Sequence, residues 1–161
     1  MTTRALVAYY SMSGNTRAIA NEIRNATGAD LEEIVEPRRR HGVVGVIRAM
    51  FDSVTRREPP IFPSTHDPAQ YDVLLLGGPV WAGHMAAPVR SYAKRYGSAA
   101  PKVAFFCTEG RNGAEAAFAE LEHLCARNAE ATLAVDAEHL APEAHSSELG
   151  RFTTSVSATL H

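Results

Sequence analysis

Five short apolar runs that do not alternate in and out, separated by segments of helical period, leave this chain few folds to choose from. The runs are Ala5 to Tyr10, Leu31 to Val35 (the weakest), Tyr71 to Leu76, Val103 to Cys107 and Ala131 to Val135. A strand wet on one face alternates apolar with polar residues, whereas one covered on both faces has no reason to. Between the runs, Ile19, Ile23 and Ala26 share a helix face after Asn15-Thr16. Met85, Val89, Tyr92 and Tyr96 form a second stripe, with Pro88 tolerable in its first turn, and Ala114, Ala117, Phe118, Leu121 and Cys125 a third. Leu149, Phe152 and Val156 follow Ser146-Ser147, which reads as an N-cap. The repetition predicts an α/β sandwich: a five-stranded parallel sheet with right-handed crossovers and helices on both faces.

With 161 residues the chain suits one domain over 1–161, and no linker or internal repeat divides it. A net charge of -2 favours no nucleic-acid partner, and Ala5 to Tyr10 is too short for a signal core or a membrane span. Cys107 and Cys125 form no CxxC pair, and Cys107, ending a buried strand, reads as a small hydrophobe. A reducing cytoplasm is the expected home. His66, His123, His139 and His145 match no metal-site spacing, and none is expected.

The connection from 37 to 70 is unusually long. Val43, Val46, Ile47, Met50, Phe51 and Val54 form an apolar stripe, flanked by Arg38 to Arg40, Arg48, Arg56 and Arg57. Read as ordinary periodicity, it is the crossover helix packed on the sheet; read by charge, segment 38–57 is a basic amphipathic surface for a partner or membrane. The packed helix is the reading taken here.

The first run ends in Ser11, Met12, Ser13, Gly14, Asn15 and Thr16, and a helix begins at once. Such a turn leaves backbone N–H groups unpaired and aligned with Ser and Thr hydroxyls at the positive end of a helix dipole, a setting for a phosphate. Only Arg17 follows, so neutral donors would hold the dianion. Neither GxxxxGK[ST] nor GxGxxG occurs, and Tyr10 and Ser11 stand where a receiver domain needs acidic residues.

The third run leads into Gly78, Pro79, Val80, Trp81, Ala82 and Gly83, and the fourth into Thr108, Glu109, Gly110 and Gly113. In an open α/β sheet these loops converge on the first, beyond the carboxyl ends of the strands. Taken together, the three segments resemble the flavodoxin family, of the short-chain kind, over nearly the whole chain. The resemblance implies the sheet order 2-1-3-4-5 and non-covalent flavin mononucleotide (FMN). It implies that Ser11, Met12, Ser13, Gly14, Asn15 and Thr16 receive the phosphate. Pro79, Val80, Trp81, Ala82 and Gly83 would border the isoalloxazine, with Trp81 stacked on one face, and Thr108, Glu109, Gly110 and Gly113 would line the other side.

Two departures from the family stand out. The loop after the fourth run offers no second aromatic, and the chain lacks the strong acidity of electron-shuttling flavodoxins. The expected function is electron transfer through bound FMN, to a redox partner protein or a small-molecule acceptor. The alternatives are an NAD(P)H-dependent quinone or nitro reductase and, third, a flavin-free binding domain on the same scaffold. No catalytic side chain is assigned; His84 is read as a helix-start histidine partly in solvent.

Overall fold

The computed structural model describes residues 3–38 and 41–160. Its elements are β1 (Ala5–Tyr9), α1 (Asn15–Thr27), β2 (Asp30–Glu33), α2 (Gly42–Val54), β3 (Val73–Trp81), β4 (His84–Met85), α3 (Ala87–Tyr96), β5 (Val103–Glu109), α4 (Ala114–Cys125), β6 (Ala129–Asp136) and α5 (Pro142–Ala158). The five long strands are parallel in the order β2-β1-β3-β5-β6, which is the expected 2-1-3-4-5. The two-residue β4 adds an antiparallel hairpin to the end of β3.

Period-two geometry explains why the runs do not alternate. Leu6, Ala8, Leu74, Leu76, Phe105 and Cys107 point to one face and pack with Val89, Tyr92, Leu121 and Cys125 of α3 and α4. Val7, Tyr9, Val73, Leu75, Ala104 and Phe106 point to the other, against Ile19, Ile23, Phe152 and Val156 of α1 and α5. Each large aliphatic side chain so buried contributes about 1.5–3 kcal/mol, and both helical layers depend on the same three central strands.

The structure corrects three local expectations. Helix α5 starts at Pro142, with Ala141 as its N-cap, so Ser146 and Ser147 lie inside it. Proline's fixed φ and missing N–H suit the first turn and outweigh the serine signal. Strand β3 continues past Leu76 to Trp81, turning a presumed loop into a hairpin arm. Gly77 and Gly78 pair within that strand, and they are glycine because a Cβ at either would stand 2.5 Å from Phe106 or Val89.

The third correction concerns α2. Gly45, Ala49 and Asp52 face the body, while Val43 (76% exposed), Ile47 (63%), Met50 and Phe51 do not pack on the sheet. Small side chains at i and i+4 let the helix backbone lie close to its neighbours, and this turns the large residues outward.

Candidate functional site

The first loop is held open by its own hydrogen bonding. Ser11 Oγ accepts from the Gly14 N–H at 3.0 Å, and Gly14 takes φ 97°, a left-handed geometry that favours glycine, as N-cap of α1. No side chain caps α1, and its first turn carries no acid. The aligned N–H groups at the helix start therefore meet no protein anion. Arg17 is engaged elsewhere, donating to Glu33 Oε1 at 2.7 Å and Tyr9 Oη at 3.4 Å. Those bonds, Tyr9's first, hold its guanidinium still more firmly protonated.

The other two loops meet the first. Thr16 and Thr108, both buried, share a hydrogen bond of 2.9 Å between their hydroxyls and so tie the start of α1 to the end of β5. The β3–β4 hairpin turns through Ala82 (φ 50°) and Gly83 (φ 78°), both left-handed as a tight two-residue hairpin requires. It is closed by the Ala86 N–H donating to the Pro79 carbonyl at 2.9 Å. Trp81, half-buried at the strand end, meets the Tyr10 ring edge-on, with centroids 6.3 Å apart and planes at 88°. Tyr10 Oη in turn donates to the buried Glu36 at 3.2 Å. Glu109 Oε2 accepts from the Ala114 N–H at 2.9 Å and caps α4. A Cβ on Gly113 would come within 2.7 Å of the Gly83 Cα, so these two loops approach at backbone distance.

Together the loops enclose a cleft of about 790 Å³. Met12, Ser13, Asn15, Thr16, Pro79, Val80, Trp81, Thr108, Glu109 and Gly110 line it. Ser11 lines a smaller adjoining cavity of about 250 Å³ together with Met12 and His41. Gly14, Ala82, Gly83 and Gly113 set the loop backbones rather than the cleft wall. The sequence reading missed one whole wall: His41, Gly42, Val43, Val46, Ile47, Ala49 and Met50 of α2 and its flank, along with Ala137. The usable signal was the pair of small residues Gly45 and Ala49 on the arc opposite the stripe.

Two devices hold this outer frame. Arg90, only 2% exposed, donates through Nη2 to the carbonyls of Asp52 (2.7 Å) and Arg57 (3.0 Å), and through Nη1 to Glu120 at 3.1 Å. It therefore pins the carboxyl end of α2 to α3 and α4. After β6, Asp136 accepts from the Glu138 N–H and from His139. These bonds, the backbone one first, hold its carboxyl below the usual range, and Asp136 pushes the His139 imidazole up. His84 lies 3.9 Å from Glu120.

Burial pushes the Cys107 thiol up strongly and the Cys125 thiol up to about 12. Neither supplies a thiolate near neutral pH. Ellman's reagent is expected to leave both unmodified in the native protein and to titrate both in denaturant. Rapid native-state modification of either would contradict the packing described.

A doubly wound parallel sheet with an uncapped helix start, a tryptophan-bearing hairpin and a glycine-rich third loop around one cleft defines the class of open α/β folds whose cleft lies beyond the carboxyl ends of the strands. Residues 4–132 match the family model described as Flavodoxin, and the chain belongs to that family. Among solved structures it is similar to a flavoprotein from Lactobacillus acidophilus in complex with FMN, at 20% identity and TM-score 0.73, covering 92% of this chain and 99% of that one. A flavodoxin from Archaea aligns at 18% identity and TM-score 0.63, covering 98% and 99%. A Fusobacterium nucleatum flavodoxin bound to FMN aligns at 12% identity and TM-score 0.62, covering 97% and 98%. No curated protein matches the chain. Among the described residues, no helix is long and apolar enough to cross a membrane.

Proposed function

We propose that this chain binds FMN non-covalently in the cleft and transfers electrons through it. The observation that carries the proposal is the uncapped start of α1 beside the Ser11–Thr16 hydroxyls, in a cleft whose far end holds Trp81. The residues fit the group. Ser11, Ser13, Asn15 and Thr16 and the backbone around Met12 and Gly14 offer neutral donors to a phosphate. Trp81, with Pro79 and Val80, offers an apolar border to a flat ring, and Thr108, Glu109 and Gly110 offer polar and backbone groups on the side of β5. Bound FMN would supply reversible one- and two-electron chemistry, while the protein orients the ring and limits water around it.

The electron acceptor is a redox partner protein or a small molecule. Because no Lys or Arg lines the cleft among the described residues, it offers no countercharge to a nicotinamide dinucleotide's phosphates. That favours a carrier reduced by another protein over an enzyme reduced directly by NAD(P)H. The FMN-loaded protein, bleached anaerobically with dithionite, is expected to recover its visible flavin band on addition of cytochrome c. NADPH alone is expected to bleach it far more slowly than a partner reductase does. A flavin that stays bound but exchanges electrons with none of these would contradict electron transfer.

Trp81→Ala is expected to weaken FMN binding several-fold to about tenfold, since aromatic pairing contributes about 0.5–1.5 kcal/mol beyond area burial. Flavin fluorescence quenched by the indole should return in the same titration. An unchanged dissociation constant with unchanged quenching would remove Trp81 from the ring site.

A further inference from the structure

Helix α2 carries an apolar line that neither packs on the body nor is used up by the cleft. Val44, Ile47, Phe51 and Val54 fall at i, i+3, i+7 and i+10 along one side of the helix and are 55–79% exposed. Of the four, Ile47 lines the cleft, while Val44, Phe51 and Val54 stand outside it. A monomer seldom leaves such a contiguous aliphatic and aromatic surface in water. The charge around the line is as one-sided as its apolarity. Residues 38–57 hold six arginines and one aspartate, in a chain with 16 basic and 18 acidic side chains. Arg38 precedes the helix and Arg56 and Arg57 follow it, all three exposed, and Arg48 flanks the line. Arg57 lies over the Phe51 ring, 5.4 Å from its centroid, which sets a cation at the rim of the apolar line. The acids close to α2 are already engaged. Asp52 is buried with Arg48 3.9 Å away, Glu58 holds Lys94 at 2.8 Å, and Glu120 holds Arg90 at 3.1 Å.

We propose that this face docks on an anionic lipid bilayer, with α2 lying in the interface, Val44, Phe51 and Val54 toward the acyl chains and the arginines among the headgroups. Three features select that occupant. A protein interface carries about one hydrogen bond per 100–200 Å², whereas the four side chains of the line offer no donor or acceptor. A second copy would set arginine against arginine, because both ends of α2 are basic whichever way two helices pair across a twofold axis. An anionic surface attracts the basic stripe and repels the rest of the chain, which is acidic, so it also fixes which side of the molecule faces the bilayer. The contact is a surface one, since the 13 residues of α2 are too few to span a bilayer. It stands apart from the flavin reading, because Val44, Phe51 and Val54 lie outside the cleft.

The test is flotation of the full chain with vesicles of phosphatidylcholine alone and of phosphatidylcholine with about 30% phosphatidylglycerol. Binding to the anionic vesicles is expected at about 0.1 M salt, with at least about tenfold less to the neutral ones and a loss on raising the salt to about 0.5 M. Arg56→Gln with Arg57→Gln should weaken it about thirtyfold, at roughly fivefold per arginine near a charged surface. Val44→Asp with Phe51→Asp should weaken it at least about tenfold. Arg151→Gln, exposed on α5 across the sheet, should change it by less than about twofold. Circular dichroism and a thermal melt confirm the fold of each variant, whose replaced side chains are all exposed. No binding by the wild type, equal binding to both vesicles, or an equal loss from Arg151→Gln would overturn the proposal. So would dimerisation without vesicles that Val44→Asp with Phe51→Asp dissolves, which assigns the face to a second copy. Arginine-dependent binding to poly-glutamate without binding to vesicles would assign it to an acidic protein surface and overturn it as well.

Discussion

Arg90→Ala should destabilise the protein by about 3–5 kcal/mol, the usual cost of removing one partner from a buried charged pair. The guanidinium is 2% exposed and serves two carbonyls and a carboxylate at once. Removing it strands the Arg57 carbonyl, leaves the Asp52 carbonyl with only the Arg57 N–H and Glu120 with only His84 nearby, and opens a cavity between α2, α3 and α4. For a chain of this size the melting temperature should fall by roughly 10 °C or more. Arg90→Lys should recover only part of the loss, because an ammonium cannot span three acceptors in a fixed fork. Since Arg90 also anchors α2, amide exchange in α2 should accelerate before global unfolding. A loss below about 1 kcal/mol in urea titration would contradict this account.

Glu32→Ala comes next in expected size. The carboxylate is the buried position of β2 and accepts from Ser64 Oγ (2.5 Å), the Thr65 N–H (2.5 Å), Thr65 Oγ1 (3.0 Å) and Tyr92 Oη (3.2 Å). It thereby fastens the segment that returns from α2 toward β3 across the edge of the sheet. Each donor left unsatisfied costs about 1–3 kcal/mol, and Ser64 can fall back on the His66 carbonyl, so a total of about 2–4 kcal/mol is expected. Burial pushes the Tyr92 hydroxyl up, so it remains a donor across the accessible pH range. Tyr92→Phe should therefore cost far less than Glu32→Ala. Equal losses from the two would show that the Tyr92 hydroxyl, rather than the Ser64 and Thr65 donors, carries the carboxylate's contribution.

Much of this architecture is readable before any coordinates. Runs such as Tyr71 to Leu76 and Val103 to Cys107 reveal strands covered on both faces, because a parallel sheet with helices on each side leaves no wet face to encode. The three cleft loops are readable for a related reason: glycine, small hydroxyl residues and a single tryptophan at strand ends have few other uses. What stays hidden depends on contacts distant in sequence. β2 reads weakly because its buried position holds a glutamate satisfied by residues more than thirty positions away. The α2 stripe looks like a core face because period alone cannot tell a packed arc from one lining a cleft. Only the packing of Gly45 and Ala49 against the body decides which way the helix turns. Arg90 reads as an ordinary surface arginine on α3, and its role depends on carbonyls contributed by residues 52 and 57.

The central claim is that the Ser11–Thr16 loop and the start of α1 form a phosphate site serving a flavin. Parallel fluorescence titrations of the apoprotein with FMN and with riboflavin, at the same pH and salt, test it most directly. The two ligands share the ring and ribityl chain and differ only in the phosphate. Two or more charge-assisted hydrogen bonds at about 1.5 kcal/mol each set the gap, so FMN should bind at least about a hundredfold more tightly. Equal affinity for the two would contradict the phosphate site, and no binding of either would contradict the flavin.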